Sequence, residues 1–176
     1  LSLCNKNLVK MDTNNNDSKA KHDLLLEVCL AAKYEGQSIS VDHPRYHTDS
    51  SGSTICTVLA RSFADIGDII RGKDLYLGDN RKDREQKLKL QDNLKEIFKR
   101  IQRQNGTLKD LPLDAVREYW WEENREKVWK AITCEAPESA HYFLPKCSTQ
   151  TWSEDKCRCA NTGVPTYFDY VPQYLR

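Results

Sequence analysis

Cysteine offers the most chemistry in this sequence, because seven cysteines occur in 176 residues. Structural zinc sites usually take two ligands from a C-x-x-C turn, which directs both sulfurs at one ion. Here the spacing is C-x-C, at Cys157 and Cys159, where alternate side chains point apart and favour disulfides with separate partners. We therefore expect an oxidising compartment and disulfides, rather than a zinc site that adds Cys147 and His141. The seven cysteines are Cys4, Cys29, Cys56, Cys134, Cys147, Cys157 and Cys159.

An odd number of cysteines leaves one thiol without a partner in the chain. Cys4 is the best candidate, since it stands a few residues after an abrupt start. At the other end, the sequence closes on an aromatic-rich run, PTYFDYVPQYLR, without a helix cap or a polar tail. We therefore expect the sequence to be part of a larger protein, with the partner of Cys4 elsewhere in it.

A second candidate for chemistry is GDIIRGKD, residues 67–74, which is close to a phosphate-binding loop. That loop follows a strand, and a Ser or Thr after its lysine holds magnesium. Here Asp74 follows the lysine and would repel phosphate, and apolar residues recur at helical spacing from Leu59 to Ile70. The pattern predicts a helix that ends at Gly72, where a left-handed residue is common.

The other titratable residues do not form a catalytic pattern. None of the four histidines neighbours a glycine-flanked nucleophile or belongs to a metal-ligand pair. Carboxylates alternate with Lys and Arg, which is typical of solvated helix faces. We therefore predict a protein that is not an enzyme and has no cofactor and no metal site. The histidines are His22, His43, His47 and His141.

The strongest surface feature is a basic segment, RKDREQKLKLQDNLKEIFKRIQR, with more than twice as many basic as acidic residues. Rows of Lys and Arg bind sulfated sugar chains through salt-sensitive contacts. The alternative is an ordinary solvated face with interspersed acids. The net charge of +1 argues against nucleic acid, and Glu27 interrupts LLLEVCLAA, which argues against membrane insertion. The candidate glycan-binding residues are Lys87, Lys89, Lys95, Lys99, Arg100 and Arg103.

Helical periodicity dominates the rest of the chain. It predicts a helix from about Ser18 to a stop at Gly36, then a polar loop to about residue 54. Further helices are predicted over 83–104, with a stripe from Leu90 to Ile101, and after Pro112. No alternating strand pattern is present, so we predict an all-α, disulfide-stapled helical bundle with long loops. The predicted buried positions after Pro112 are Val116, Tyr119, Trp120, Val128, Trp129 and Ile132.

Tryptophans could alternatively form a platform on which sugars stack. We expect Trp120 and Trp129 to lie in the core instead, because large aromatic side chains are usually buried. The same argument is weaker for Trp121.

With the helices and cysteines placed, the chain resembles the alpha class of Duffy-binding-like domains, from the variant erythrocyte membrane adhesins of Plasmodium falciparum. The blocks that carry the resemblance are ARSFADIGDIIRGKDLYLG, REYWWEENREKVWKAITC, PTYFDYVPQYLR and, upstream, LLLEVCLAAKYEG. The resemblance implies the end of a first subdomain over about 1–54 and a second over about 55–176, continuing beyond the chain. It also implies that Cys56 pairs with Cys147, and that Cys29, Cys134, Cys157 and Cys159 form two further bridges of open connectivity.

The function that the resemblance implies is host-cell adhesion by a variant surface antigen, outside the membrane of the infected erythrocyte. Expected partners are an erythrocyte or endothelial receptor or a sulfated glycan, neighbouring domains of the adhesin, and host antibodies. Ligand contacts are expected on the loops at 37–54, 79–89 and 136–163 and on the basic segment. The alternative is a structural spacer that only positions neighbouring adhesion domains.

Overall fold

The structure is a computed structural model that describes residues 4, 6–11, 19–46, 55–141, 155–159 and 163–176. Its five α-helices are α1 (Lys6–Val9), α2 (Ala20–Tyr46), α3 (Ile55–Arg71), α4 (Arg81–Gln104) and α5 (Leu113–Ile132). Short 3-10 turns follow at Gly106–Leu108, Asp155–Cys157, Phe168–Tyr170 and Gln173–Leu175. Every regular element of these described ranges is helical, which confirms the all-α prediction. Helix α3 is the central element and packs against α2, α5 and the Phe168–Tyr170 turn.

Helix α3 ends at Gly72, as predicted. Gly72 has a φ of 75°, and its N–H donates to the carbonyl of Ile69 at 3.2 Å. The N–H of Lys73 donates to the carbonyl of Asp68 at 2.8 Å, which completes a left-handed helix end. A side chain at position 72 would also collide with the guanidinium of Arg117. The GDIIRGKD stretch is therefore the end of a buried helix and not a phosphate-binding loop.

Helix α2 does not stop at Gly36, so that prediction is wrong. The helix continues to Tyr46, and Ile39, beyond the glycine, is buried in the core. A Cβ at position 36 would overlap the carbonyl oxygen of Ile132 at the end of α5. Glycine is required there because two helices approach closely, and not because the backbone turns. The part of the predicted loop at 47–54 lies outside the described residues.

The apolar stripes of α4 and α5 are largely as predicted. The α4 stripe from Leu90 to Ile101 is buried, and the side-chain amide oxygen of Asn80 caps the helix by accepting the N–H of Asp83. In α5, Tyr119 is 57% exposed, contrary to the prediction. The three tryptophans of α5 are buried, Trp121 completely, so none of these three forms a sugar-stacking platform. Because α5 packs against α2, α3 and α4, its buried surface is wider than one stripe. The buried α4 residues are Leu90, Leu94, Ile97, Phe98 and Ile101.

The disulfide of Cys56 differs from the one that the resemblance implies. Cys56 pairs with Cys157, with a Cα–Cα distance of 5.6 Å, and not with Cys147, which lies outside the described residues. The backbone fixes Cys157 at this place, since its N–H donates to the carbonyl of Ala140 at 2.9 Å. Its carbonyl also accepts the indole N–H of Trp129 at 3.2 Å. Cys159 is disulfide-bonded as well.

The expected bridges of Cys29 and Cys134 are also absent, because both residues are free thiols, as is Cys4. Gly36 of α2 lies beside Ile132, whereas Cys29 is seven residues earlier in α2. Seven residues of α-helix span about 10 Å, which separates Cys29 from the level of Cys134. A disulfide needs Cα atoms within about 7 Å, so the two thiols are too far apart along the helices.

Alkylation should distinguish the exposed thiol of Cys134 from the half-buried thiol of Cys29. Burial raises the pKa of the Cys29 thiol above its ordinary value, with Lys127 opposing that shift, so little thiolate is present near neutral pH. We expect iodoacetamide to label the exposed Cys134 first and Cys29 several-fold more slowly, as measured by peptide mass spectrometry without reductant. Cys56 and Cys157 serve as the internal control and should label only after reduction. If Cys29 and Cys134 also required reductant, the assignment of both as free thiols would be wrong.

Candidate functional site

The exposed side of α4 presents a group of cations, which we call the basic face: Lys89, Lys95, Lys99, Arg100 and Arg103. The buried stripe fixes the rotation of the helix, and at 3.6 residues per turn these side chains fall on the side away from the core. Arg100 is half-buried and the other four are exposed. The structure therefore brings five of the six predicted glycan-binding residues onto one side of one helix.

The sixth predicted residue, Lys87, lies apart from the basic face. Its ammonium forms an ion pair with the buried carboxylate of Asp74 and lies 5.7 Å from the ring centre of Tyr76. Burial lowers the pKa of Lys87, and the charge of Asp65 partly opposes that shift. Lys87 therefore ties the segment after α3 to α4, and we remove it from the candidate binding residues.

Acidic residues interrupt the basic face. The carboxylate of Glu96 accepts a hydrogen bond from the Lys99 ammonium at 2.8 Å, and this bond lowers the pKa of the exposed Glu96. Asp92 is exposed on the same side of α4. Within the described part of the chain, Lys89, Lys95 and Arg103 form no ion pair within 4.0 Å. The basic face therefore has several cations that form no such ion pair, and two carboxylates lie among them.

A different cluster of charges is buried and holds the fold together. The carboxylate of Asp169 accepts two hydrogen bonds from Arg125, each 2.8 Å long, and one from the indole N–H of Trp121 at 2.9 Å. Arg125 also donates to the carbonyl of Thr166 at 2.8 Å, and its guanidinium lies 5.7 Å from the ring centre of Phe63. We call these groups the Asp169 cluster. It fastens the last described segment to α3 and α5.

Burial would by itself lower the pKa of Arg125, but the hydrogen bonds and the charge of Asp169 outweigh it and raise that pKa. The guanidinium therefore stays charged, and the Asp169 cluster is a buried ion pair. The sequence pattern does not reveal this pair, because 44 residues separate the partners. The only signal in the sequence is a carboxylate inside an otherwise aromatic block.

Other kinds of site have no candidate within the described ranges. There, no three side chains of His, Cys, Asp or Glu converge as metal ligands would. None of the helices in those ranges combines the length and the apolarity of a membrane span. Of the predicted contact loops, 79–89 is mostly the first part of α4, and 142–154 lies outside the described residues.

Comparison with protein families and solved structures gives a consistent result. The family model of the Duffy binding domain matches residues 1–176. The chain is 40% identical to the NTS-DBL1(alpha-1) domain of membrane protein 1 (PfEMP1) from the varO strain of Plasmodium falciparum, with a TM-score of 0.79. That match covers 98% of this chain and 39% of the solved one. No curated protein matches the chain.

Two further solved structures extend the comparison. A double domain of NTS-DBL1-alpha and CIDR-gamma from the same strain is 40% identical, with a TM-score of 0.80, and the match covers 98% of this chain and 25% of that one. The PfEMP1 IT4var13 DBLbeta domain, solved bound to ICAM-1, is 29% identical, with a TM-score of 0.65. That match covers 98% of this chain and 40% of the other. The chain thus spans two fifths or less of each of these structures.

Proposed function

The chain belongs to the Duffy binding domain family, and from this premise we propose that it is part of a host-cell adhesion module of a parasite surface antigen. The family is one of adhesion domains and not of enzymes. A DBLbeta relative has been solved bound to the host receptor ICAM-1, which supports a receptor-binding role for this chain. The observation that carries the proposal is the family match over all 176 residues.

We also propose a place of action, which the same relatives support. The NTS-DBL1-alpha relative is joined to a CIDR-gamma domain in one structure, so neighbouring domains of an adhesin are the proposed covalent partners of this chain. We place the chain in the extracellular part of a membrane protein on the infected erythrocyte, where host antibodies would meet it. The division into subdomains at about residue 54 stays a prediction.

We propose the basic face of α4 as the surface that binds sulfated glycans. Its support is geometric, since four of the five cations project into solvent from one rigid helix and do not hold the core together. Charge-mediated binding of this kind weakens as salt screens it, with a Debye length of about 8 Å at physiological ionic strength. The alternative is an ordinary solvated face on a structural spacer. The interspersed acids Asp92 and Glu96 fit this alternative as well.

Charge reversal on the basic face tests this proposal. We expect the variant K95E/K99E/R103E to lose heparin-column retention at about 0.15 M salt, because three exposed cations become anions. The measurement is the salt concentration at which each protein elutes, with circular dichroism to show that the helices are intact.

The matched control reverses three exposed cations on other helices, Lys33, Arg61 and Lys127. Each triple variant changes the net charge from +1 to about −5, since each reversal removes two charges. Only the α4 variant should lose retention. Equal losses in both variants would show a general charge effect, and no retention of the wild-type chain would favour the structural spacer.

A further inference from the structure

A pocket of about 370 Å³ opens where α1, α2 and α4 meet. We call it the α1–α2–α4 pocket. Its volume lies at the lower end of the range of about 300–1,000 Å³ that is usual for small-molecule sites. Arg100 of the basic face lines it, so the pocket and the proposed glycan surface share one residue.

Specific contacts hold the walls of this pocket in place. The side-chain amide of Asn7 donates to both the carbonyl and the carboxylate of Glu27, each at 2.8 Å, and joins α1 to α2. The amide of Asn93 donates to the carbonyl of Val9 at 2.9 Å and joins α1 to α4. Leu8, between these bonds, is buried at 2% exposure. A ligand would therefore enter a largely preformed site, which reduces the entropy lost on binding.

Charges of both signs line the α1–α2–α4 pocket. Lys10 and Arg100 supply two cations, and Asp23 and Glu27 supply two carboxylates. Among the described residues, neither cation forms an ion pair within 4.0 Å. The two cations are therefore available to an anionic group. The Asp23 carboxylate and the Glu27 oxygen that does not accept from Asn7 are available as acceptors for hydroxyl donors.

An acidic sugar carries both complementary groups on one small ring. Its sulfate or carboxylate would meet Lys10 and Arg100, and its hydroxyls would donate to the carboxylates of Asp23 and Glu27. Ala20, the first residue of α2, also lines the pocket, and the partial positive charge of a helix amino terminus favours an anion there. A simple anion without hydroxyls would offer no hydrogen-bond donor to the two carboxylates.

We propose that the α1–α2–α4 pocket binds one acidic sugar unit of a sulfated glycan, whose adjoining units lie along the basic face. This inference rests on the proposed function and gives its glycan a defined anchoring site. Arg100 links the two surfaces, because Lys99 and Arg103 lie within one turn of it on α4. The pocket would select a sugar with hydroxyls, whereas the basic face would respond mainly to charge.

The test is an isothermal calorimetric titration of the chain with a heparin-derived disaccharide. Inorganic sulfate serves as a competitor. We expect K10Q/R100Q to weaken disaccharide binding at least about tenfold, and D23N to weaken it about threefold or more. The control K33Q/R61Q, which removes two exposed cations outside both the pocket and the basic face, should change it less than twofold. Inorganic sulfate should bind at the pocket at least about tenfold more weakly than the disaccharide does. Melting temperatures check that every variant is folded.

Two outcomes would contradict sugar binding at the pocket and leave the proposed function intact. The first is heparin retention by the wild-type chain with no disaccharide binding. The second is disaccharide binding that K10Q/R100Q leaves unchanged or that sulfate displaces equally well. Failure of the wild-type chain to bind either heparin or the disaccharide would instead remove the glycan function itself.

Discussion

Replacing Asp169 with alanine should destabilise the chain by about 3–5 kcal/mol, the cost of removing one partner from a buried ion pair. The Asp169 side chain is fully buried, and that of Arg125 is only 13% exposed. Alanine would leave the guanidinium of Arg125 and the indole N–H of Trp121 buried without their acceptor. Because small proteins are stable by only about 5–15 kcal/mol, this single change should remove a large share of the free energy of unfolding.

Two companion variants make the measurement specific. Asp169→Asn keeps an oxygen that can accept from Trp121 but loses the charge, so we expect a smaller loss than with alanine. Asp110→Ala changes an exposed carboxylate outside the Asp169 cluster and should stay within about 0.5 kcal/mol of wild type. Urea unfolding followed by circular dichroism gives the free energy of unfolding for each. If Asp169→Ala were as stable as Asp110→Ala, the cluster would not hold the fold together.

Removing the disulfide with Cys56→Ala and Cys157→Ala should cost a similar amount, about 3–5 kcal/mol. The bond joins residues 101 apart in sequence, and closing a loop of about 100 residues restricts the unfolded chain by about 4.7 kcal/mol in the chain-entropy account. Both cysteines are fully buried, so alanine avoids burying a new polar group. The measurement is the urea midpoint of the double variant against wild type.

The control for this second variant is Cys134→Ala, which removes an exposed free thiol. It should change the free energy of unfolding by less than about 0.5 kcal/mol. Treating the wild-type chain with reductant should reproduce the loss seen in the double variant, with a further loss where the disulfide of Cys159 is reduced too. Equal stability of oxidised wild type and the double variant would contradict the structure.

A burial pattern can be predicted from the sequence when it depends on one side of one helix. The stripe of α4 is predictable because a single buried side imposes a 3.6-residue period. The same period, read from the sequence alone, puts Lys89, Lys95 and Arg103 on the outer side of the helix. The prediction that Tyr119 is buried was wrong, because it lies nine residues, or about two and a half turns, before the buried Val128 and therefore on the opposite side of α5.

Features that depend on contacts between distant segments could not be predicted in this way. Gly36 carries the same local signal whether a helix stops there or passes closely over another, and only the approach of Ile132 decides between them. Lys87 lies three residues before the buried Leu90, on the side of the stripe, but only its ion pair with Asp74 shows that it holds two segments together. The pairing of Cys56 was equally hidden, since sequence alone does not fix connectivity among several cysteines.

The covalent link from the start of α3 to Cys157 also decides how the chain responds to pulling. When the chain is pulled along its backbone, force that arrives at Cys56 passes through the disulfide to Cys157. Their sequence separation of 101, at roughly 3.4 Å per residue, amounts to about 340 Å of extended chain. That length cannot be released under tension while the bridge is intact, so α4, α5 and nearly all of α3 are shielded from the load. The exposed surfaces of these helices therefore keep their shape while the chain outside the disulfide is stretched.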